Sequence, residues 1–148
     1  MGISLNQLKK RLQKVNQNKL QKKVEEFVLT DLEIRNLKRA EFKRGELPDG
    51  GIIGVYRDTN YQIMKQRMNP VAGGDVDLIL TGKFTNQLFV KSLNNSRFIF
   101  DSQDEKTSML KARYTDKIMG LNPETFDKLQ KEKYAPKLIT YIKRITGL

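Results

Sequence analysis

The chain has 148 residues with neither cysteine nor histidine, and 28 lysines and arginines against 17 carboxylates give it a net charge of +11. That length suits one compact domain whose core needs no metal or disulfide support. The missing residue types exclude disulfides, cysteine zinc sites, thiol nucleophiles and every Ser-His-Asp or Cys-His arrangement, and they remove the usual general base. The N-terminal stretch is polar and basic without a signal-peptide apolar core, and no apolar run approaches the roughly 20 residues that span a bilayer. A soluble protein without membrane contact, acting or assembling in a cytoplasm, is expected. The charge is unevenly placed: residues 1–44 hold 12 basic and 5 acidic side chains, residues 45–105 hold 6 and 8, and residues 106–148 hold 10 and 4. Such a field attracts polyanions, although lysine-rich helices with interspersed carboxylates also simply present solvated faces.

In chain order, Leu5, Leu8, Leu12 and Val15 have helical spacing behind a Ser4 cap, with Lys9, Lys10, Arg11 and Lys14 on the other face. Asn16-Gln17-Asn18 predicts a break. A second stripe runs through Leu20, Val24, Phe27 and Val28 toward Leu37 and Phe42, and slips phase at Thr30-Asp31, where a kink or a new cap is expected. Gly45 and Pro48-Asp49-Gly50-Gly51 end this basic helical region, residues 1–45. Residues 46–75 read as a long loop excursion, with a short strand at Ile52–Tyr56 and a helical turn or two at Tyr61–Met68. So long a loop in a small domain suggests partner contact, and Ile52, Ile53, Val55 and Tyr56 are too apolar for a solvated linker.

The stretch VDLILTGKF, Val76–Phe84, predicts a strand through Val76, Leu78 and Leu80 that breaks at Thr81-Gly82. Leu88–Leu93 and Arg97–Ser102, joined by Asn94-Asn95-Ser96, predict a hairpin, completing a strand and hairpin core over residues 76–103. The helical C-terminal region, 104–148, starts near Met109–Tyr114 and stops at Gly120-Leu121. It resumes with Asn122 as cap and Pro123 at the first helical position. Tyr134-Ala135-Pro136 predicts an interruption before a last helix packed through Leu138, Ile139, Tyr141, Ile142 and Ile145, closed by Gly147.

Chemistry has few footholds. Asp75 with Asp77, and Asp101 with Asp104 and Glu105, have the residue types for a divalent cation or acid–base work, but they sit where acidic groups commonly cap turns, and Asp104 is placed to cap a helix starting near Lys106. Gly50-Gly51 and Gly73-Gly74 match neither phosphate-loop pattern, and Thr81-Gly82-Lys83 lacks the upstream glycine spacing. The runs Lys9-Lys10-Arg11, Lys22-Lys23 and Lys38-Arg39 suit a phosphate backbone, yet aromatic residues are sparse in them and no base-reading motif accompanies them. No catalytic residue, cofactor or metal site is expected.

Tyr56, Tyr61, Lys65 and Asn69-Pro70, followed by VDLILTGKF, the hairpin and Tyr114…Ile118-Met119-Gly120-Leu121, together resemble the tail-completion, neck or virion-morphogenesis proteins of tailed bacteriophages. Residues Val76–Leu121 carry the resemblance, around an L-x-x-T-G turn; the helical segment 122–148 and the basic N-terminal helices depart from it. It implies a non-enzymatic virion structural protein at the head–tail junction or tail end, assembled in the host bacterial cytoplasm. Its partners would be portal, connector or tail subunits and copies of itself in a ring. A basic protein near the portal would also suit a DNA channel, and a sequence-nonspecific nucleic-acid-binding protein is the alternative. Both readings share one expected fold: α+β, N-terminal helices packed on a small, mainly antiparallel sheet, with C-terminal helices covering one side. The candidate contact residues are Ile52, Ile53, Tyr56 and Tyr61, and the candidate polyanion face is Lys9, Lys10, Arg11, Lys22 and Lys23.

Overall fold

A computed structural model describes residues 4–79, 82–94 and 97–148. Three capped helices come first. Ser4 and Gln7 satisfy each other's backbone N–H groups in a capping box, at 3.2 and 3.0 Å, to start α1, Leu5–Gln13. The expected breaks are both real: Asn16 Oδ1 accepts from Lys19 N at 2.8 Å to start α2, Gln17–Leu29, and Asp31 Oδ1 accepts from Glu33 N at 3.0 Å to start α3, Leu32–Lys43.

The turn after α3 depends on Gly45. Its φ is +71°, and a Cβ there would lie 2.9 Å from the Val76 carbonyl oxygen, so a side chain is excluded by both conformation and space. Leu47-Pro48-Asp49-Gly50 then closes a β-turn through Gly50 N to Leu47 O at 2.9 Å, with proline in the second position.

The sheet is a two-stranded antiparallel hairpin, β1 Leu88–Asn94 and β2 Arg97–Ser102. Its register pairs Leu88 with Ser102 and Val90 with Phe100, which puts these four residues on one face, all buried. The α2 and α3 helices pack on β1, and the 3₁₀ turn Asp116–Met119 packs on β2 through fully buried Ile118 and Met119. The opposite face carries Lys91, whose Nζ lies 2.8 Å from Asp101 Oδ2 across the strands. Later helices are α4 Thr59–Met68, α5 Lys83–Asn86, α6 Thr107–Tyr114, α7 Pro123–Leu129 and α8 Ala135–Thr146. The architecture is therefore α+β, in the expected order of helices, hairpin and helices.

Several local expectations are corrected. Val76–Ile79 is not a strand. Asp77 is buried, and Leu78 turns the chain at φ +54°, a left-handed conformation that a leucine adopts only under restraint. Leu80 and Thr81 of that expected strand, like Asn95 and Ser96 of the hairpin connection, lie outside the described residues. Ile52–Tyr56 makes only isolated bridges, Glu46 to Ile52 and Val55 to Asp75. The Asp104 side chain accepts no capping bond at the start of α6. The interruption expected at Tyr134-Ala135-Pro136 is present, but as a π-helical turn between α7 and α8 rather than a loop, with Pro136 in the first turn of α8. The chain widens into a π-helical turn, Gln130–Tyr134, and Ala135 N bonds Gln130 O five residues back. That extra residue absorbs the clash and the missing N–H that a proline brings to a helix.

The run Lys38-Arg39 is likewise structural. Lys38 is wholly buried, its Nζ 2.6 Å from Glu41 Oε1 and 4.5 Å above the Phe42 ring. Burial pushes the Lys38 ammonium pKa down and the Glu41 carboxyl up, each opposed by the other's charge. The Arg39 guanidinium donates to Thr85 O at 2.8 Å and Asn86 O at 3.3 Å, at the end of α5.

The two ends of the chain are joined at Asp31. Its carboxylate accepts from Lys133 Nζ at 2.6 Å and from the Tyr134 hydroxyl at 2.7 Å. Burial pushes this carboxyl up, but the bonds from Lys133, Tyr134 and Glu33 N–H outweigh it and hold it below the ordinary value. A carboxyl lowered in the folded state stabilises above its unfolded pKa of ~3.9, and that contribution disappears as pH falls through the folded value. Asp31→Asn should therefore lose about 1–3 kcal/mol at neutral pH, read from urea midpoints, and the deficit should shrink as pH drops below ~3.9. A deficit that stays constant with pH would remove the charge of Asp31 from this account.

Candidate functional site

The 46–75 excursion is an ordered substructure. Asp58 Oδ1 accepts from Tyr61 N at 2.9 Å to cap α4, Pro70–Ala72 forms a 3₁₀ turn, and Val76 N returns to Gly54 O at 3.0 Å. What fixes α4 is an ion pair. Lys65 Nζ lies 2.7 Å from Asp77 Oδ1, with side chains only 2% and 1% exposed, and also donates to Ile79 O at 3.1 Å. Asp77 is filled on its remaining sides. Asn69 Nδ2 donates to Asp77 Oδ2 at 2.8 Å and to Lys43 O at 2.7 Å, and Ile79 N donates to Asp77 Oδ1 at 3.0 Å. That last bond closes a tight Asx turn around Leu78. Asn69 Oδ1 is buried without a partner.

Above the pair sits Tyr56, its hydroxyl 3.5 Å from Asp77 Oδ1 and 3.4 Å from Asp77 N. Burial, with the Asp77 charge beside it, drives the phenol pKa well above its ordinary value, so it stays protonated. The Tyr61 ring meets Tyr56 edge-on at 5.1 Å. Both rings, Lys65, Asp77 and Tyr114 border a cleft of about 210 Å³.

This arrangement inverts the polarity of a short helix. The one residue of α4 that is buried is its lysine, while Tyr61, Ile63, Met64 and Met68 are exposed, as are Ile52, Val55 and Val71 nearby in sequence. Exposures in this set run from 37% for Tyr61 to 62% for Val55. A single exposed leucine is ordinary; here seven large apolar side chains within 20 residues of sequence are exposed.

Of the four residues singled out in the sequence, Ile52 and Tyr61 are exposed, Tyr56 is half-buried over the ion pair, and Ile53 belongs to the core. Ile53 is therefore unavailable for contact: Ile53 N bonds Gly45 O at 3.0 Å, which turns its side chain inward. The structure brings Tyr56 and Tyr61 together. Sequence reasoning missed Ile63, Met64, Met68 and Val71, because apolar residues at helical spacing ordinarily face a core. The available signal was Lys65, set among them with Asp77 downstream.

On the basic side, Lys9, Lys10 and Lys22 are exposed. Arg11 Nη1 donates to Gly147 O at 3.1 Å, tying α1 to the end of α8. Lys23 pairs with Glu26 at 3.1 Å. The acidic groups do not converge: among the described residues no cluster of three or more metal-ligating side chains is found, and Asp77 and Asp101 are each paired with a lysine. No helix among the described residues is long and apolar enough to cross a membrane. No protein-family model, curated protein or solved structure matches the chain.

Lys65→Met leaves the Asp77 carboxylate buried without its counter-charge and is expected to destabilise the fold by about 3–5 kcal/mol. Adding Asp77→Asn should recover part of that loss, because the uncompensated charge is then gone. Guanidinium unfolding of the parent, both single variants and the double variant measures this. Strictly additive losses would mean that the two groups are not coupled.

Proposed function

We propose that this protein is a non-enzymatic structural component of a tailed-bacteriophage particle, placed at the head–tail junction or tail end, where it assembles as a ring. The inverted polarity of α4 carries this reading: a buried ion pair holds the helix rigidly while Ile63, Met64 and Met68 face outward. Burial of apolar side chains is the main driving force for permanent association, and obligate interfaces are more apolar than ordinary surface. Pinning the helix in advance lowers the ordering cost of association.

The setting comes from the resemblance over Val76–Leu121. Closed cyclic assembly needs a patch that meets a different surface on the next copy, and the 52–71 surface is the first of these. The neighbouring portal, connector or tail subunit supplies a second kind of contact. Tyr61 and Ile52 remain contact residues in this reading; Tyr56 acts beneath them by holding Asp77.

Quantitative mass spectrometry of nuclease-treated phage particles tests the placement. A fixed copy number of roughly six to twelve per particle, as closed rings have, is expected; absence from particles despite abundance in infected cells would overturn it. Ile63→Asp with Met68→Asp tests the surface. Both sites are exposed, so the urea midpoint should move by no more than about 0.5 kcal/mol equivalent, while incorporation into particles is lost. Normal incorporation of this variant would remove α4 from the interface.

A further inference from the structure

Two basic regions far apart in the chain, 1–44 and 106–148, meet in the fold. The α8 helix packs against both α1 and α2. Neither α1 nor α8 contains an acidic residue, while they carry Lys9, Lys10 and Arg11, and Lys137, Lys143 and Arg144, respectively. Between α2 and α8 lies an open hollow of about 380 Å³, bordered by Lys23, Phe27, Lys137, Thr140, Tyr141 and Arg144 and by no carboxylate.

Inside it, cations and rings alternate. Lys23 Nζ stands 5.6 Å from the Phe27 ring centre and 5.1 Å from that of Tyr141, Lys137 Nζ stands 5.6 Å from Phe27, and the Arg144 guanidinium stands 5.5 Å from Tyr141. Aromatic residues are sparse within the basic runs of the sequence; Phe27 lies one turn beyond Lys23 on α2, and packing α8 on α2 adds Tyr141. The cations are spread around two rings rather than converging on a point, which suits successive phosphates of a chain better than one isolated anion. Glu26 touches Lys23 from outside the hollow and is 59% exposed. So exposed a pair on one helix contributes little, and a phosphate oxygen can take its place.

We propose that this hollow binds single-stranded nucleic acid without sequence preference, Lys23, Lys137 and Arg144 taking phosphates and Phe27 and Tyr141 presenting ring surface to the sugars and bases. This is the combination that single-strand binding requires, a basic groove with aromatic platforms. The site is distinct from the apolar 52–71 surface and does not rest on the assembly reading, so a variant blocked in assembly keeps it.

The test is fluorescence anisotropy of the full chain with a labelled, mixed-sequence DNA strand of about 16 nucleotides, between about 50 and 200 mM salt. Affinity should fall steeply with salt. Lys23→Gln with Lys137→Gln and Arg144→Gln should weaken binding at least about tenfold and flatten the log–log salt slope by about two units, at about 0.7 per phosphate contact. A charge-matched control, Arg57→Gln with Arg67→Gln and Lys106→Gln, removes three exposed cations outside the hollow and should change affinity less than about twofold. If the first triple variant fails to fold, Lys137→Glu alone, at an exposed site, should still give a several-fold loss. Equal losses in the hollow and control variants would reduce the interaction to net charge and overturn the site. So would no binding at the lowest salt, or binding to phosphatidylserine vesicles in place of DNA.

Discussion

The ion pair between Lys65 and Asp77 is the contact on which the middle of this molecule depends. It joins α4 to the segment that leads into the sheet, and both partners are almost completely removed from water. Desolvating two charges is expensive, and their attraction compensates only when geometry is good and the remaining lone pairs and protons are satisfied. Here Asn69, Ile79 N–H and the Tyr56 hydroxyl surround Asp77, and Ile79 O takes a second proton of Lys65. The left-handed turn at Leu78 is held by the same carboxylate. An apolar pair of similar size would hold the helix at least as firmly, but it would not fix the direction in which the helix faces. The charge pair does, because any rotation of α4 would strand a buried charge.

A second buried pair, Lys38 with Glu41, lies within α3 and places its charges in the core beside Phe42 and Phe100. A further ion pair joins distant elements. Asp31 caps α3 and simultaneously receives Lys133 and Tyr134 from the C-terminal region, more than 100 positions away in the chain. The π-helical turn that accommodates Pro136 is what brings those two donors to Asp31. A local proline problem and a long-range contact therefore share one solution.

The outside of the protein divides by chemistry. The 46–75 region presents apolar side chains from a rigid base, while α1, α2 and α8 present cations with few carboxylates among them. The two proposals assign them different partner chemistry, subunit contact for the first and phosphate for the second. A virion component placed beside packaged nucleic acid would use both.

The sequence determined the caps, the breaks and the hairpin, because these follow from neighbours a few residues apart. Ser4, Asn16, Asp31, Asn122 and Gly147 all act at the helix ends where their types and positions put them, and the runs Leu88–Leu93 and Arg97–Ser102 pair as an antiparallel hairpin. It also singled out Ile52, Ile53, Val55 and Tyr56 as apolar for a loop. Only the tertiary structure decided which of those side chains remain outside. Ile53 went to the core, and Val76–Ile79 became a turn in place of a strand, because Lys65 enters from α4 and makes burial of Asp77 favourable. The basic runs are just as dependent on context. Lys38 is interior and Arg11 holds the end of α8, whereas Lys23 acquires the Tyr141 ring from a helix that begins 112 residues later. Lys23–Glu26 and Lys38–Glu41 have the same i,i+3 spacing, yet only the second pair is buried; whether a lysine is interior or free to meet a ligand depends on what packs over it in space, and chain order does not contain that.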